Sequence, residues 1–477
     1  MLQKITTVYI VLLLTVFLLA FPRGGYADIG EFKYSLFLLI CGGYVIAVAV
    51  LRILYAATGI MPMRLCDIKK IPLAAALMLV YLFFTIVSAV FSNYPGTFRG
   101  HMRREGALTI GIYVLSCVFV AGYFKPRKWM ALLLGAVCVP VSLLGLVQLT
   151  GANPFGLYPD GGSFHGAGVY YSGEFLSTVG NSGLLAAFVS LAVGVMAMAV
   201  IKLDFKERWC LILPLFLTAL LIFRMGIDAA VMAVLVGMVV MIPVAVTSRK
   251  TLANTLMVFA VVGAAFTPVA IALTGLAVAV TKISVFEKIP ARWYRIGSAG
   301  FTILIIAAAF VYLWFYTGEP GGMIYEASQV LHGNWNDSFG TRRVFIWRNV
   351  FENINPATLW LGTGPDTLAR WENIPNFVRL TETRNFITVI DAAHNEPLQI
   401  LATGGLLSLL PYLGAIIIAG VNWYRRPGNI LSAIAGAGVL FYVIQAQFGI
   451  SQFITAPFFW TCFGVLLSVT DDQAQAL

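Results

Sequence analysis

The feature that most constrains this chain is a series of continuous apolar runs, repeated from the N-terminus to the C-terminus. Several runs reach about 18 residues, the length an α-helix needs to cross a bilayer. The runs do not alternate between apolar and polar residues, so helices are expected rather than a barrel. With 60% hydrophobic and 11% charged residues, the 477-residue chain is excluded from the ordinary soluble class. The sequence therefore predicts an all-α polytopic membrane protein.

We expect about 12–14 transmembrane helices, because that many runs are long enough to span or partly span a bilayer. The predicted spans are 5–21, 34–51, 72–91, 107–124, 129–149, 182–201, 211–223, 227–246, 297–316, 397–420, 430–449 and 453–469. Residues 251–281 are expected to form a short helical hairpin bent at Thr267–Pro268, because proline breaks a helix. The predicted domains are an N-terminal helix bundle over 1–316, a large extracytoplasmic loop over 317–396 and C-terminal helices over 397–477.

The distribution of positive charge predicts the orientation of these spans. Lys and Arg gather in alternate loops, for example at 69–70, 125–128, 248–250 and 425–426, and such loops face the cytoplasm in most membrane proteins. The net charge of +10 is thus spread over short loops and does not indicate nucleic-acid binding. In this topology all four histidines lie on the outer side: His101, His165, His332 and His394. Any chemistry is therefore expected to face outward.

The sequence gives no indication of a metal or another cofactor. The six cysteines lie in or near apolar spans or on a predicted inner loop, without a CxxC pair or a disulfide framework. LGTGPDTL (361–368) is expected to be a Gly-Pro turn and lacks the lysine of a phosphate-binding loop. Asp160, Glu174 and Asp391 are outer carboxylates without the spacing of a catalytic pair.

The run from Ile390 to Leu410 marks a boundary between a polar segment and an apolar helix. His394, Asn395 and Glu396 end the polar segment, so His394 is expected at the mouth of a membrane span. An imidazole there can gain or lose a proton near neutral pH. The alternative is that His394 and Asn395 only cap and anchor the start of a helix.

Arginines are unusually frequent close to the predicted outer ends of the spans. They include Arg103 and Arg104 before the 107–124 span, Arg224 in a tight turn, and Arg342 and Arg343 in the large loop. Because Arg binds phosphate through two hydrogen bonds, converging arginines would suit a lipid-linked diphosphate. The alternative is pairing with nearby carboxylates such as Glu105, Asp228 or Glu352, or contact with lipid headgroups.

Residues 340–354 show helical apolar spacing, at Val344, Ile346–Trp347 and Val350–Phe351. This pattern predicts an amphipathic helix that lies on or against the membrane. The aromatic residues Phe345, Trp347 and Trp360 are expected to act in packing or as interfacial anchors rather than as substrate contacts.

Several of these segments, in this order, resemble the O-antigen ligase and polymerase superfamily. They are RREG before the 107–124 span, GNSGLLAAF (180–188), the arginine of the 224 turn, R-x-x-x-W followed by LGTGP, and the His-Asn motif. The family signature is His, then Asn, Ser or Gln, nine residues, Gly, two residues and Gly. This sequence has His394, Asn395, Gly405 and then Ser408, so the second glycine is replaced. The family usually has a serine directly before the turn arginine, whereas this sequence has Phe223 before Arg224.

The resemblance implies a GT-C-like membrane enzyme of the bacterial cytoplasmic membrane, with its active site facing outward. It implies transfer of a glycan from an undecaprenyl diphosphate carrier to a hydroxyl of a glycan, lipid or protein acceptor, without metal or nucleotide sugar. Arg224 and Arg343 would hold the diphosphate, and His394 would act as base or orient the acceptor. The expected substrate-binding residues are Arg103, Arg104, Arg342 and Asn395.

The sequence leaves two further functions open. The sequence does not separate a ligase from a repeat-unit polymerase of the same superfamily. A transporter or flippase of polyisoprenoid-linked sugars belongs to another class, and it should carry ionisable groups near mid-membrane and show paired halves. The predicted span interiors lack charges, and the polar groups gather at the outer face, which favours an enzyme.

Overall fold

Helices account for most of the chain in the computed structural model, which describes residues 1–59, 72–267, 272–372, 377–380 and 385–470. The helices are α1 (Leu2–Leu12), α2 (Ile29–Phe37), α3 (Gly43–Ala57), α4 (Leu73–Phe91), α5 (Ala107–Tyr123), α6 (Trp129–Leu149), α7 (Gly168–Tyr171), α8 (Ser182–Lys202), α9 (Phe205–Met225), α10 (Asp228–Val240), α11 (Ile242–Ala245), α12 (Arg249–Ala264), α13 (Ala272–Lys282), α14 (Ala291–Trp314), α15 (Gly322–Leu331), α16 (Phe339–Asn353), α17 (Glu396–Arg425), α18 (Ile430–Ala446) and α19 (Ala456–Thr470). The described strands form two short antiparallel ribbons, β1 (Phe175–Leu176) with β2 (Gly180–Asn181) and β3 (Phe377–Leu380) with β4 (Asn385–Thr388). The π-helical segments Leu13–Phe17 and Leu38–Gly42 extend α1 and join α2 to α3, respectively.

The helices have the lengths and composition of a polytopic membrane protein. Within the described residues, seven are long and apolar enough to cross a membrane: 29–57, 73–90, 129–149, 182–202, 205–225, 291–314 and 396–425. Shorter apolar helices accompany them at 2–17, 107–123, 228–240, 272–282, 430–446 and 456–469. The predicted helical membrane fold is thus confirmed at this level, whereas the number of crossings and their orientation stay predictions.

Helix α8 forms the centre of the bundle, because its apolar stretch is buried along its whole length. It packs against α18 and α9, while α17 packs against α4 and α19 against α5. Helix α14 is at the other extreme and exposes most of its apolar side chains. Such an exposed apolar helix is expected to face lipid in a membrane protein.

Two predicted helix starts differ from the structure. Helix α9 begins at Phe205 and α14 at Ala291, each six residues before the apolar run that predicted it. The extra turns carry charged residues such as Arg208 and Arg292, which an apolar-run criterion excludes. In α9, the Asp204 backbone N–H donates to Glu207 Oε2 at 3.4 Å, a contact typical of a helix start.

The expected hairpin over 251–281 corresponds to α12 and α13, which pack against each other. Helix α12 starts at a Ser248 cap, whose Oγ accepts from the Thr251 backbone N–H at 3.3 Å. The predicted bend at Pro268 lies outside the described residues.

Helix α16 confirms the predicted helix from Arg343 to Asn353, whereas the backbones of Gly340, Thr341 and Arg342 are left-handed. Part of its apolar face packs against protein. Val344, Ile346 and Val350 are buried, and Ile346 and Val350 share a small core with Leu398 of α17. The expectation that this face lies on the membrane is therefore wrong for Ile346 and Val350, because they pack against the start of α17. Val344 lines a cavity described below. Phe351, expected on the same face, is exposed.

Helix α17 is broken at Gly405, and the LGTGP segment fills the break. Gly405 has φ +68° and ψ −175°, a conformation that essentially only glycine adopts. Thr363 and Gly364 donate their backbone N–H groups to the carbonyls of Ala402 (3.2 Å) and Thr403 (2.8 Å).

After the break, α17 supplies the N–H donors, and residues before the LGTGP segment supply the carbonyl acceptors. Leu406 and Leu407 donate their N–H groups to the carbonyls of Leu359 (2.9 Å) and Trp360 (3.1 Å). Backbone groups freed by the break thus regain partners, which a helix in lipid requires. The segment expected only to be a Gly-Pro turn is therefore part of the helix packing.

Replacing Gly405 by Ala is expected to destabilise the protein. An added Cβ would lie 2.2 Å from the Trp360 carbonyl oxygen, and the positive φ disfavours alanine. The backbone strain alone corresponds to about 1–3 kcal/mol, so the thermal midpoint of the purified protein in detergent should fall.

Gly420→Ala is the matched control in the same helix, because nothing lies within 4 Å of an added Cβ there. It should leave the midpoint unchanged or raise it slightly, since alanine favours helices by about 0.5–1 kcal/mol over glycine. Equal midpoints for the two variants would contradict the docked break.

Candidate functional site

A polar cavity lies beside the first half of α17, and we call it the His394 cavity. Its volume is about 80 Å³. Its walls come from α4, α5, α17, α19 and the connectors before and after them. The lining residues are Tyr81, Thr85, Arg103, Glu105, Ile110, Tyr113, Pro365, Asp366, Asp391, Ala392, His394, Asn395, Glu396, Gln399, Ile400, Thr403, Gly404, Ser408, Gly449, Ile450, Ser451 and Trp460.

The backbone on both sides of His394 is fixed by side-chain hydrogen bonds. Trp347 Nε1 donates to the Ala393 carbonyl at 2.9 Å, and the Ala393 N–H donates to Gln399 Oε1 at 2.8 Å. Asn395 Oδ1 accepts from the Leu398 N–H at 2.8 Å and so caps α17. The capping role expected as the alternative is therefore real for Asn395.

His394 itself has a different role from its neighbour. It adopts φ +48°, a left-handed conformation that is uncommon for residues other than glycine. Its ring makes no hydrogen bond to another described residue, and it lines the cavity. Strained residues of this kind cluster at functional sites. The ring is thus held at the cavity wall with its nitrogens available.

Arg103 lines the same cavity and forms an ion pair with Asp391. Arg103 Nη2 is 2.7 Å from Asp391 Oδ1, and both side chains are about four-fifths buried, with relative exposures of 19% and 23%. The Nε atom of Arg103 is buried without a hydrogen-bond partner among the described residues. Part of the guanidinium therefore remains able to bind an anion.

Asp366, from the segment that fills the α17 break, fixes the backbone of the arginine loop. Its Oδ2 accepts the N–H groups of His101 and Arg103, the latter at 3.2 Å. Burial raises the pKa of Asp366, while these N–H donors oppose the rise. This contact connects Arg103 to the LGTGP segment and, through it, to α17.

The surroundings of His394 favour the neutral imidazole. Burial, followed by the positive charges of Arg103 and Arg343, lowers the pKa of His394 from 6.5 to about 4, and Asp391 opposes the change. His394 is therefore neutral at pH 7. Two arginines, from different parts of the chain, act on this one ring.

Two carboxyl groups lie deeper in the cavity wall. Glu105 Oε1 accepts from the Tyr113 hydroxyl and from the Phe453 N–H, both at 2.7 Å. Burial raises the pKa of Glu105 to about 8, against the effect of the Tyr113 hydrogen bond. Glu396 Oε1 accepts from the Tyr412 hydroxyl at 2.9 Å.

Arg343 lines a second cavity of about 330 Å³, here called the Arg343 cavity. Arg343 donates to two backbone carbonyls, from Nε to Phe448 (2.8 Å) and from Nη1 to Gly340 (2.7 Å). Burial lowers its pKa, which Asp228 and Glu326 oppose, and an arginine nevertheless stays charged. The remaining lining residues are Ala229, Met232, Phe310, Leu313, Met323, Ala327, Val330, Leu331, Trp335, Phe339, Gly340, Val344, Trp347 and Phe448.

The connector between α18 and α19 lies between the two cavities. Phe448 lines the Arg343 cavity, whereas Gly449 and Ser451 line the His394 cavity. Asn395 Nδ2 donates to the Gln447 carbonyl at 3.0 Å, so the connector is also bound to the start of α17.

The other predicted arginines do not line the His394 cavity. Arg224 lies in the last turn of α9 rather than in the predicted tight turn after it; it is exposed and makes no ion pair or hydrogen bond with a described residue. Arg104 pairs with Glu31 and lies over the Tyr34 ring at 4.7 Å. Arg342 is exposed and has a left-handed backbone with φ +69°. The structure thus brings together His394, Asn395, Arg103 and the charge of Arg343.

Three carboxylates of the cavity were missed or left without a role by the sequence analysis: Asp366, Asp391 and Glu396. The fourth, Glu105, was expected as an alternative to pair with an arginine, but it accepts from Tyr113 and from the Phe453 N–H. Asp391 showed no catalytic spacing, because its partner Arg103 is 288 residues away in the chain. The one available signal was their adjacency to predicted residues, since Glu105 follows Arg103–Arg104 and Glu396 follows His394–Asn395.

Comparison of the chain with protein-family models gives no match, and comparison with curated proteins gives none either.

Arg103→Gln is expected to raise the pKa of His394 from about 4 towards 6.5. A nearby positive charge disfavours the imidazolium, so its removal allows protonation at higher pH. The measurement is an NMR titration of ¹³C-labelled histidine in a variant whose other three histidines are replaced.

Arg348→Gln provides the control. Arg348 is exposed, pairs with Asp337 and Glu352, and is not among the charges that act on His394. It should leave the titration unchanged. A pKa that stays constant in Arg103→Gln would contradict the electrostatic coupling described above.

Proposed function

We propose that this chain transfers a glycan from an undecaprenyl diphosphate carrier to an acceptor hydroxyl at the outer side of the cytoplasmic membrane. The observation that carries the proposal is one imidazole, kept neutral and lacking a hydrogen bond to a described residue, near the charges of two partly buried arginines, Arg103 and Arg343. The resemblance of the His394–Ser408 run to the O-antigen ligase and polymerase superfamily points to the same reaction.

The two arginines suit the leaving group. When the acceptor oxygen forms its bond to the anomeric carbon, the bond from that carbon to the diphosphate breaks, and the electron pair leaves on the diphosphate. Fixed cations stabilise charge that develops in this way. Arg103 is oriented by Asp391 and Arg343 by two backbone carbonyls, so neither has to reorganise during the reaction.

The neutral imidazole suits the acceptor. His394 takes the proton of the acceptor hydroxyl as the new bond forms. Binding of the diphosphate places negative charge near Arg103 and Arg343, which offsets their effect on the ring and raises the pKa of His394. The imidazole thus becomes a better proton acceptor once the donor is bound.

The Arg343 cavity suits the lipid part of the donor. Its lining combines the charged groups Arg343, Asp228 and Glu326 with apolar side chains such as Met232 and Phe310. Phe310 belongs to α14, the helix that exposes most of its apolar side chains. An isoprenoid chain would have an apolar path from this cavity along α14, with its diphosphate near Arg343.

Arg224 keeps the role implied by the resemblance as a separate proposal. It is exposed at the end of α9, and Asp228, its nearest acidic residue in sequence, lines the Arg343 cavity. The proposed role is a first contact with the diphosphate, before the donor reaches Arg343. Arg104, Arg342 and Asn395 remain proposed substrate contacts, although Asn395 already caps α17.

His394→Ala is expected to reduce turnover by about 10²–10⁴, the usual contribution of a general base. The measurement is release of undecaprenyl diphosphate from a glycan-loaded carrier by purified protein, with candidate acceptors present. Carrier binding should persist, because both arginines remain. Arg343→Ala and Arg224→Ala should weaken carrier binding as well.

Arg348→Ala serves as the matched arginine control, since its side chain pairs at the surface with Asp337 and Glu352. It should turn over as the wild type does. Unchanged turnover in His394→Ala, Arg343→Ala and Arg224→Ala would reject the assigned site. Transport of the loaded carrier across vesicle membranes without release of diphosphate would favour the flippase function instead.

The pH dependence of kcat/KM gives an independent check. This ratio reports the pKa of the essential base in the free enzyme. Because the pKa of His394 is about 4, the base is still neutral at pH 5, and kcat/KM should persist there. A histidine with its ordinary pKa of 6.5 would already be protonated. Loss of activity with a midpoint near 6.5 would contradict His394 as the base.

A further inference from the structure

The floor of the His394 cavity holds two buried polar atoms that lack hydrogen-bond partners among the described residues. They are Glu396 Oε2 and Ser408 Oγ, on side chains that are 5% and 0% exposed. The Tyr442 hydroxyl lies near the Glu396 carboxyl group without completing a hydrogen bond to Oε2. Buried polar atoms are costly unless a partner, water or ligand satisfies them.

The unused hydrogen-bonding capacity of Glu396 and Ser408 favours a ligand with hydroxyl groups. A carboxyl group accepts hydrogen bonds and in its protonated form also donates one, and a serine hydroxyl both donates and accepts. A group that can act both as donor and as acceptor, such as a ligand hydroxyl, therefore satisfies Glu396 Oε2 and Ser408 Oγ.

An aromatic wall stands beside these polar atoms. The Trp460 ring is nearly parallel to the rings of Tyr81 and Tyr113, with centroid distances of 6.2 and 6.3 Å. All three residues line the cavity. Aromatic rings with polar tips suit a ligand that is apolar on one side and wet on the other.

The size of the cavity excludes a single water as its full content. One water requires about 10–15 Å³ on the scale where this cavity measures 80 Å³. A sugar ring, by contrast, combines several hydroxyl groups on its edge with apolar C–H groups on its face.

The geometry points to a sugar-binding subsite on the floor of the His394 cavity, in which Glu396 and Ser408 determine specificity by binding ring hydroxyl groups. Both residues belong to α17, on opposite sides of the break at Gly405. The inference rests on the proposed function for the source of the ring, which is either the acceptor or the first sugar of the donor. The binding chemistry is the same for both.

The first test is saturation-transfer NMR with the full-length protein in lipid nanodiscs and free D-glucose, D-galactose or N-acetyl-D-glucosamine as the probe. At least one sugar should bind the wild type. Glu396→Gln should weaken that binding about 10–100-fold, and Ser408→Ala about 5–10-fold, as expected when a buried partner of a hydroxyl is altered. Glu396→Gln retains an oxygen for the Tyr412 hydrogen bond, so the fold should persist, which thermal unfolding would verify.

Glu352→Gln is the matched control, since Glu352 is exposed and lies outside the cavity. It should bind sugar as the wild type does. Absence of binding of all three sugars by the wild type, or unchanged binding in both Glu396→Gln and Ser408→Ala, would overturn the inference.

The transfer reaction identifies the source of the ring. In Glu396→Gln, a higher KM for the acceptor alone indicates an acceptor sugar, and a higher KM for the loaded carrier alone indicates the donor. The two proposals fail in different ways. Sugar binding that depends on Glu396, without release of diphosphate, would keep the subsite and reject the transferase. Transfer at wild-type kcat/KM in both variants would keep the transferase and reject the subsite.

Discussion

The arrangement of the site depends on four backbone hydrogen bonds that join residues 359–364 to the break in α17. A helix interrupted at Gly405 would leave carbonyl and N–H groups unpaired, and in lipid each would cost several kcal/mol. Residues 359–364 satisfy them on both sides of the break. Asp366, two residues further along the chain, fixes the backbone of Arg103. One set of main-chain contacts thus sets the relation between the helix that follows His394 and the loop that carries the arginine.

Burial and the charges of two arginines determine the protonation state of His394. Arg103 and Arg343 come from separate parts of the chain, yet both act on the His394 ring and lower its pKa. Each cation is oriented by the protein, the first by Asp391 and the second by backbone carbonyls. Cations held in position before an anion arrives are effective in stabilising charge that develops later. The same charges keep the imidazole neutral, and a neutral imidazole is the form that accepts a proton.

Site residues could be predicted from the sequence where a reactive or charged residue type lies next to the end of a predicted span. His394 and Asn395 were found because a polar segment meets an apolar helix there, and Arg103 and Arg343 because arginine is disfavoured at outer span ends. Asp366 and Asp391 were assigned no role, since they act on a loop more than 260 residues earlier in the chain. The spacing of residues along the sequence does not indicate such long-range contacts. Arg224 is exposed near the end of α9 and does not line the cavity, so its assigned role stays a prediction.

The sequence by itself determined the helical membrane class, the approximate extents of most helices and the helix over 340–354, because bilayer thickness and helical periodicity act on local stretches of residues. Only the tertiary structure decided that α17 is broken, that the LGTGP segment fills the break, and that α16 turns its apolar face towards α17. These features depend on close backbone approaches, such as Gly405 against the Trp360 carbonyl, between residues distant in sequence. A glycine in an apolar run looks the same whether it lies in a regular helix or at a break. Its role follows only from what packs against it.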